Sequence, residues 1–444
     1  MLGVIKGSIE VPYEPRTFKL ANKYRYIDKD QNVIYGCKLS KDKKTLSFPR
    51  DLVKFTQIAP EIELEDLRIT PSVAKKVTLT SLVLREYQQS VAEDLKKLWD
   101  NGSTDTIICA AAGWGKTYVL SYFIANLQLR TTIIVDKTLL ANQMLKEISE
   151  HTDADVAILT KNSELHDVNI VTFQLLNNNP ELLKELQDNS GFVVLDECHI
   201  APASSLQEIM RGFSGRYRMG LSATPTRSDN LTELIYDTFG RAIVFGHNPE
   251  ALVVDVHRVK IPQTFYSGAK DYKKKLSVFL KQQKNIIQEM VSYFVTKGRH
   301  IFIAVDTQDL QEFYCKLFNS LGIPSAIMNA YTTSEERNLI IERFNKGDLK
   351  VIIGFAVLEK GISISRMDTI VHLSGAGTKE KCEQLIGRLR RTHELKRTPM
   401  FIDLQFLGNL ERQQSVREWT YKKLGNTVRT FMFSSYEKYR EKFK

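Results

Sequence analysis

Ala110-Ala111-Ala112-Gly113-Trp114-Gly115-Lys116-Thr117 decides how this chain is read. The apolar run Thr106 to Cys109 precedes it and an apolar stretch of helical character begins near Tyr118, so a strand, a small-residue loop and a helix start follow one another. That order builds a cradle for phosphate. Backbone N–H groups of the loop converge, the helix dipole adds partial positive charge, Lys116 can reach β- and γ-phosphates, and the Thr117 hydroxyl can ligate Mg²⁺. The spacing is that of a P-loop with Ala110 in place of the first glycine, a mild departure because a methyl group is tolerated where φ stays negative. Gly113 and Gly115 complete the expected ATP-binding set with Lys116 and Thr117.

A phosphate cradle that hydrolyses its ligand needs an acid near the metal. Phe192 to Leu195 is a buried-strand run ending in Asp196-Glu197-Cys198-His199, 80 residues after Lys116. Both carboxylates therefore emerge at a strand's C-terminal end, where open α/β sheets place their ligands. Asp196 is expected to hold Mg²⁺ through water and Glu197 to orient the water that attacks the γ-phosphate. Nothing nearby supplies a base for Cys198, which reads as packing.

Outward from this centre, apolar runs at Thr132 to Val135, Asn169 to Thr172 and Arg218 to Leu221 alternate with helical stretches, the pattern of a parallel sheet covered on both faces. A second series follows at Ile301 to Val305, Ser325 to Met328, Lys350 to Phe355, Thr369 to Leu373 and Met400 to Leu404. The fold class is thus α/β, two tandem parallel-sheet domains, preceded by a small β-rich domain whose short strands are broken by Asp-Lys-Asp and Lys-Asp-Lys-Lys turns. Expected boundaries are 1–78, 79–245 and 246–444, with Pro249 and Pro262 marking the second junction and a basic, aromatic segment from about Arg412 whose spacing allows a helix.

Length and composition agree: 444 residues, 43% hydrophobic and 26% charged, exclude a disordered, collagen-like or coiled-coil chain. The net charge of +10 favours a polyanionic partner. Five dispersed cysteines without a C-x-x-C pair indicate neither a disulfide framework nor zinc. No apolar run is long enough to span a membrane and the start lacks a signal peptide's features, so a cytoplasmic protein is expected.

Asp-Glu-x-His together with the P-loop resembles the superfamily 2 helicases and translocases, whose sheets are RecA-like, and further segments stand in that family's order. Leu84-Arg85-Glu86-Tyr87-Gln88 resembles the adenine-reading motif, which implies Gln88 on the base and Arg85 supporting it. Thr138 to Gln143 and Val171 to Gln174 look like the segments that hold a nucleic-acid backbone, implying Thr138, Gln143, Thr172 and Gln174 as contacts. Ser222-Ala223-Thr224-Pro225 matches the segment coupling hydrolysis to strand binding, through Ser222 and Thr224.

Gln384-Leu385-Ile386-Gly387-Arg388-Leu389-Arg390-Arg391 resembles the family's Q-x-x-G-R-x-x-R motif and implies catalytic roles for Gln384, Arg388 and Arg391. On a helix Arg388 and Arg391 share a face while Arg390 points elsewhere. Guanidinium groups from a second domain neutralise the phosphoryl-transfer transition state when a cleft closes, although a basic helix also suits a solvated or nucleic-acid-facing surface. Ala356 to Ile364 looks like the segment linking ATP to the strand, with Gly361 as its turn and Ser363 where aspartate is common. Thr333 to Glu336 has capping-box spacing and reads as structural.

Within the superfamily the short β-rich start, Asp-Glu-Cys-His, the Gly-Ile-Ser variant and the compact length look like UvsW-type phage helicases. That resemblance implies ATP- and Mg²⁺-dependent unwinding or branch migration of forked and four-way DNA in recombination, replication or repair, in the host cytoplasm if the chain comes from a phage. Tyr24, Tyr26, Lys43 and Lys44 are candidates to grip duplex arms, and Lys137 and Arg227 to touch phosphate, against the plainer reading of packed rings and solvated charges. An RNA-remodelling ATPase and a nucleotide-switched DNA-binding protein without translocation remain the competing readings.

Overall fold

The computed structural model describes residues 1–111, 113–227, 229–266, 272–329, 331–354, 364–373, 379–390, 396–408, 411–433 and 437. Gly361, Ser363 and Arg391 lie outside them, as does most of the segment from Ala356 to Ile364. The chain divides into two compact units, Met1–Asn248 and Pro249–Lys444.

The first unit opens with a mixed sheet. Strands β1 (Leu2–Ile5), β2 (Ile9–Pro12), β5 (Lys38–Leu39), β6 (Thr45–Phe48) and β7 (Glu63–Asp66) lie in the order β5-β6-β2-β1-β7. β3 (Arg25–Ile27) and β4 (Val33–Tyr35) form a separate antiparallel hairpin. All pairs are antiparallel except β1 with β7, which is parallel because the helix Leu52–Ile58 carries the chain across. Ile9, Phe48 and Phe55 are fully buried beneath it, and so is Tyr24.

The same unit then builds a seven-stranded, wholly parallel sheet from β8 (Asp105–Ala110), β9 (Thr131–Val135), β10 (Val156–Ile158), β11 (Val168–Thr172), β12 (Phe192–Asp196), β13 (Tyr217–Ser222) and β14 (Ala242–Gly246). Their order is β10-β11-β9-β12-β13-β8-β14. Consecutive residues feed opposite cores: Ile108, Ile133 and Val194 pack on one face, Ile107, Ile134 and Val193 on the other. This is why the strands read as unbroken apolar runs instead of alternating ones. The second unit repeats the plan with β15 (Asp255–Phe265), β16 (Ile301–Ala304), β17 (Ser325–Ile327), β18 (Val351–Gly354), β19 (Thr369–His372), β20 (Met400–Gly408) and β21 (Thr427–Met432). Its order, β17-β18-β16-β19-β20-β15-β21, repeats the first sheet strand for strand, again all parallel.

Four strands of the two parallel sheets escaped the sequence pattern: β10, only three residues long at one edge, and β14, β15 and β21. β14 is short and edge-placed, β15 carries His257, Arg258, Lys260 and Pro262 with a register shift between Ile261 and Thr264, and β21 lies inside the basic terminal stretch. That stretch does supply a helix, Glu411–Lys423, before turning into the edge strand. The capping box at Thr333 forms as read, its hydroxyl accepting from the Glu336 N–H at 3.2 Å.

The β-rich start is bolted to the N-terminal end of the first parallel sheet by buried polar groups. Arg50 donates from Nε to Asp105 Oδ2 at 2.7 Å, from Nη2 to the other carboxylate oxygen, and from Nη1 to the Gly215 carbonyl at 2.6 Å. Lys54 reaches Asp237 at 2.9 Å and Arg241 reaches Asp51 at 2.8 Å. Tyr26 donates to Asp237. Tyr24 and Tyr26 are therefore structural, correcting the expectation that they face nucleic acid; Lys43 and Lys44 remain exposed. Burial beside Asp237 raises both phenol pKa values.

In the second unit Asp403 of β20 accepts from Arg417 Nη2 at 2.9 Å, from Gln405 at 3.1 Å and from Tyr421 at 3.3 Å, all buried. Its own burial raises the carboxyl pKa, but the Arg417 charge and the hydrogen bonds to the charged form prevail and hold it well below the usual carboxylate range. Arg417→Met is expected to cost about 3–5 kcal/mol of stability at neutral pH by leaving a buried charge uncompensated. The sign of the pH dependence should then invert. Wild type loses the Asp403 contribution as pH falls below about 4, whereas acid protonates the stranded carboxylate in the variant and narrows the gap. Urea unfolding at neutral pH and near pH 4 measures both effects; a gap that widens in acid contradicts them.

Candidate nucleotide-binding site

Because β8, β9, β11, β12 and β13 run parallel and in register, their C-terminal ends form one rim. Cys109 stands beside Ser222, Asp196 beside Leu221 and Thr172 beside Val135. The P-loop, the acid pair and three of the expected coupling or backbone-binding segments thus leave the sheet on the same side.

After Ala110 the chain turns through Gly113 (φ +82°) and Gly115 (φ +96°), both in the left-handed region, and enters the helix Lys116–Leu127. A side chain at Gly115 would be strained, and its Cβ would sit 2.3 Å from Gln88 Nε2. Lys116 Nζ donates to the Ala110 carbonyl at 2.8 Å, so the ammonium is held across the mouth of the loop, where the carbonyl stands in for a phosphate oxygen. Thr117 follows on the first turn, partly exposed.

Sequence reasoning passed over Trp114. Its ring is 2% exposed, packs tilted on Tyr87 at 5.7 Å and lies against Gly246, the last residue of β14. A Cβ at Gly246 would come 2.6 Å from Trp114 Cε2 and 2.8 Å from the Ala110 Cβ. The Trp114 carbonyl accepts from Gln88 Nε2 at 3.1 Å, while Gln88 Oε1 accepts from the Arg85 N–H at 3.0 Å. Gln88, 3% exposed, is engaged by protein at both ends of its amide and braces the loop. Arg85 Nη1 donates to the Tyr87 hydroxyl at 3.2 Å and its side chain stays at the surface.

Asp196 ends β12, partly exposed, and Glu197 takes φ +52°, ψ +51° at the turn into Cys198–Ile200. A non-glycine residue in that region costs on the order of 1–3 kcal/mol, sustained here by Cys198, which is fully buried. Gly220 of β13 makes the room: a Cβ there would be 2.9 Å from Cys198 Sγ. Burial raises the Cys198 thiol well above its ordinary pKa, in keeping with a packing role. The Asp196 carboxyl is pushed up to about 7 by burial first and the Glu197 charge second, with Lys116 pulling it down.

His199 joins two segments. Its Nδ1 lies 3.3 Å from Glu197 Oε2 and 3.4 Å from Ser222 Oγ, and the Ser222 oxygen accepts from the Thr224 N–H at 3.1 Å. Arg227 donates from Nη1 to the His199 carbonyl at 2.7 Å and forks onto Asp229, so it clamps this turn and is not free for phosphate. Lys137 is exposed and paired with Asp136 at 3.0 Å.

The expected nucleic-acid contacts divide. Thr138 and Gln174 are exposed, Gln143 donates to Glu147 at 2.7 Å, and the Thr172 hydroxyl caps the helix Phe173–Asn178 by accepting from the Leu175 N–H at 3.3 Å. In the second unit Gln384 and Arg388 lie on the helix Lys379–Leu389, Arg388 only 7% exposed. Arg390 leaves on another side, donating to the Leu424 carbonyl and, at 3.0 Å, to Asn426.

Comparison with known proteins agrees with this arrangement. Residues 81–227 match the family model described as type III restriction enzyme, res subunit, and residues 282–393 match the helicase conserved C-terminal domain. The chain is 24% identical over 416 residues to the DNA 3'-5' translocase XPB2 of Sulfurisphaera tokodaii, covering 83% of this chain and 91% of that one. It is also 24% identical to the probable helicase D10 of Escherichia phage T5, covering 75% of each. Among solved structures, S. cerevisiae Dbp5 bound to RNA and ADP BeF3 superposes with a TM-score of 0.57 at 15% identity, over 88% of this chain and 96% of that one, a likeness of fold. Paired parallel sheets, a P-loop and acid pair on one rim, and helicase models over both halves place the chain in superfamily 2, among the ATP-dependent helicases.

Proposed function

We propose that the chain is a DNA translocase that uses ATP and Mg²⁺ to unwind or branch-migrate forked and four-way DNA. The carrying observation is the rim itself: phosphate loop, acid pair and coupling serine rise from adjacent strands of one sheet. The two relatives above, one named a DNA translocase and the other a phage helicase, and the net charge of +10 support DNA as the polymer. The branched substrate rests on the resemblance to UvsW-type helicases.

The residues present suit a magnesium ion. Two adjacent carboxylates opposed by one lysine are short of positive charge, which adds to the burial that drives Asp196 up to about 7. One carboxylate and the Thr117 hydroxyl fit a hard cation that keeps most of its waters and takes phosphate oxygens. When bound, the ion neutralises charge on the β- and γ-phosphates. Lys116 exchanges its carbonyl for phosphate oxygens, the loop amides orient the triphosphate, and Glu197 aligns the attacking water. His199 couples the position of Glu197 to Ser222 and Thr224, making a path from the acid pair to the neighbouring loop. Arg388 and Arg391 are assigned to the developing transition-state charge. The β-rich start is assigned an accessory grip on DNA through its exposed face, which keeps Lys43 and Lys44 as candidates.

ATPase rate against single-stranded, duplex, forked and four-way DNA and against RNA tests the reading. Stimulation should be greatest with branched DNA, and greater stimulation by RNA would transfer the chain to RNA remodelling. Lys116→Ala should lower kcat at least ~100-fold, as loss of a transition-state contact does, while DNA binding persists. Junction migration by that variant would refute a motor.

Gly246→Ala should push Trp114 and with it the phosphate loop, at a cost of about 1–3 kcal/mol for overpacking, and raise the KM for ATP. Trp114→Phe, whose ring is smaller, should restore much of it in the double variant. Steady-state kinetics of the two single variants and the double decide; an unchanged KM in Gly246→Ala would show the loop is not braced there.

A further inference from the structure

The seam between the β-rich start and the first parallel sheet holds more positive charge than its acids account for. Arg218 of β13 is 2% exposed. Its Nη2 donates to the carbonyls of Gly7 at 2.6 Å and of Met210 and Phe213 at 2.7 Å, and its Nη1 to that of Thr238 at 3.5 Å. These are neutral acceptors. Asp105, its register partner on β8, has both carboxylate oxygens occupied by Arg50. Two buried guanidinium groups thus share one carboxylate.

Three donors are left over. Arg218 Nε, Arg211 Nη1 and Gln207 Nε2 are buried atoms with no hydrogen-bond partner. All three residues line one small, partly open cleft, together with Arg50 and Asp237. Arg211 is otherwise engaged through Nη2 with the Gly36 carbonyl, so its guanidinium is anchored and not free to swing out to water. Burial lowers the pKa of both Arg211 and Arg218, and for Arg218 the Arg50 charge adds to it, outweighing the acids nearby. An unpaired buried donor costs roughly 1–3 kcal/mol and more when charged, and three facing one cleft call for an acceptor.

We propose that this cleft binds a small monovalent anion of chloride size, held by Arg218 Nε–H, Arg211 Nη1–H and Gln207 Nε2–H. A water molecule accepts two hydrogen bonds and brings no charge, whereas a halide accepts all three and cancels the surplus cation. Asp237 on the cleft wall disfavours a phosphate dianion by like-charge repulsion. The ion would fasten the β-rich start to the motor sheet, far from the rim that carries Lys116 and Asp196, and is independent of which nucleic acid the enzyme uses.

Crystals of the full chain grown in sodium bromide should show an anomalous peak in the cleft. In solution, thermal unfolding in sodium chloride against sodium methanesulfonate at equal ionic strength should give a saturable rise in Tm. A hundredfold excess over Kd multiplies the folding constant about a hundredfold. Arg211→Gln, which removes the charge and both Nη atoms, should lower the Tm in either salt through the lost Gly36 contact and should lose the chloride-specific part of that rise. The proposal is overturned by a water in the cleft with bromide present, by bromide confined to the surface, or by an equal chloride response in Arg211→Gln.

Discussion

Everything chemical in the first unit depends on strand direction. With seven strands parallel, every backbone arrives at the same edge N to C, and residues far apart in sequence become neighbours by register alone. Cys109 meets Ser222 and Asp196 meets Leu221, so the loops that follow those strands share a rim although more than a hundred residues separate the first from the last. An antiparallel sheet would send alternate loops to opposite edges and divide the site. The other edge is left for a different use, and there the N-terminal residues of β8 and β13, Asp105 and Arg218, receive the β-rich start.

What could be read from the sequence was what is local in the chain. The P-loop and Asp196-Glu197 are contiguous segments following apolar strands, and their chemistry is carried by residues next to one another. What could not be read was made by distant pairs. Gln88 looks free in the sequence, yet its amide is taken up by Arg85 and Trp114; Tyr26 looks like a surface ring, yet it donates to Asp237, 211 residues away. Thr172 resembles a backbone-binding threonine and serves as a helix cap, a role a hydroxyl fills wherever a helix begins after a strand. β15 was obscured because Arg258 and Lys260 interrupt its apolar run; in the fold Arg258 is nonetheless buried, donating to Gln405 of β20 at 3.1 Å.

The two units show how one topology diverges. Their sheets have the same strand order, but β8 opens into a glycine loop and lysine and β12 into two acids, whereas β19, which corresponds to β12, is followed in the sequence by Leu373 and Ser374 and no acid pair. The second sheet places its buried polarity at Asp403, Arg417 and Tyr421, which tie the helix Glu411–Lys423 to β20. The P-loop and the acid pair thus belong to the first unit, while the basic motif with Gln384 and Arg388 lies on a helix of the second.

The way the β-rich start is attached bears on how force passes through the molecule. An apolar seam would be stabilising and tolerant of sliding, because burial has no direction. A seam of buried Arg50–Asp105 and Lys54–Asp237 pairs is weak evidence for added stability, since desolvation offsets much of the attraction, but it admits one register: a slip of a few ångströms strands charges at a cost of several kcal/mol. Lys29 and Gly7 add backbone contacts to Asp229 and Arg218, on either side of the loop that carries Ser222 and Thr224. The loop that carries Ser222 and Thr224 is therefore held between directional contacts to the β-rich start, and the two cannot slide past one another without breaking them.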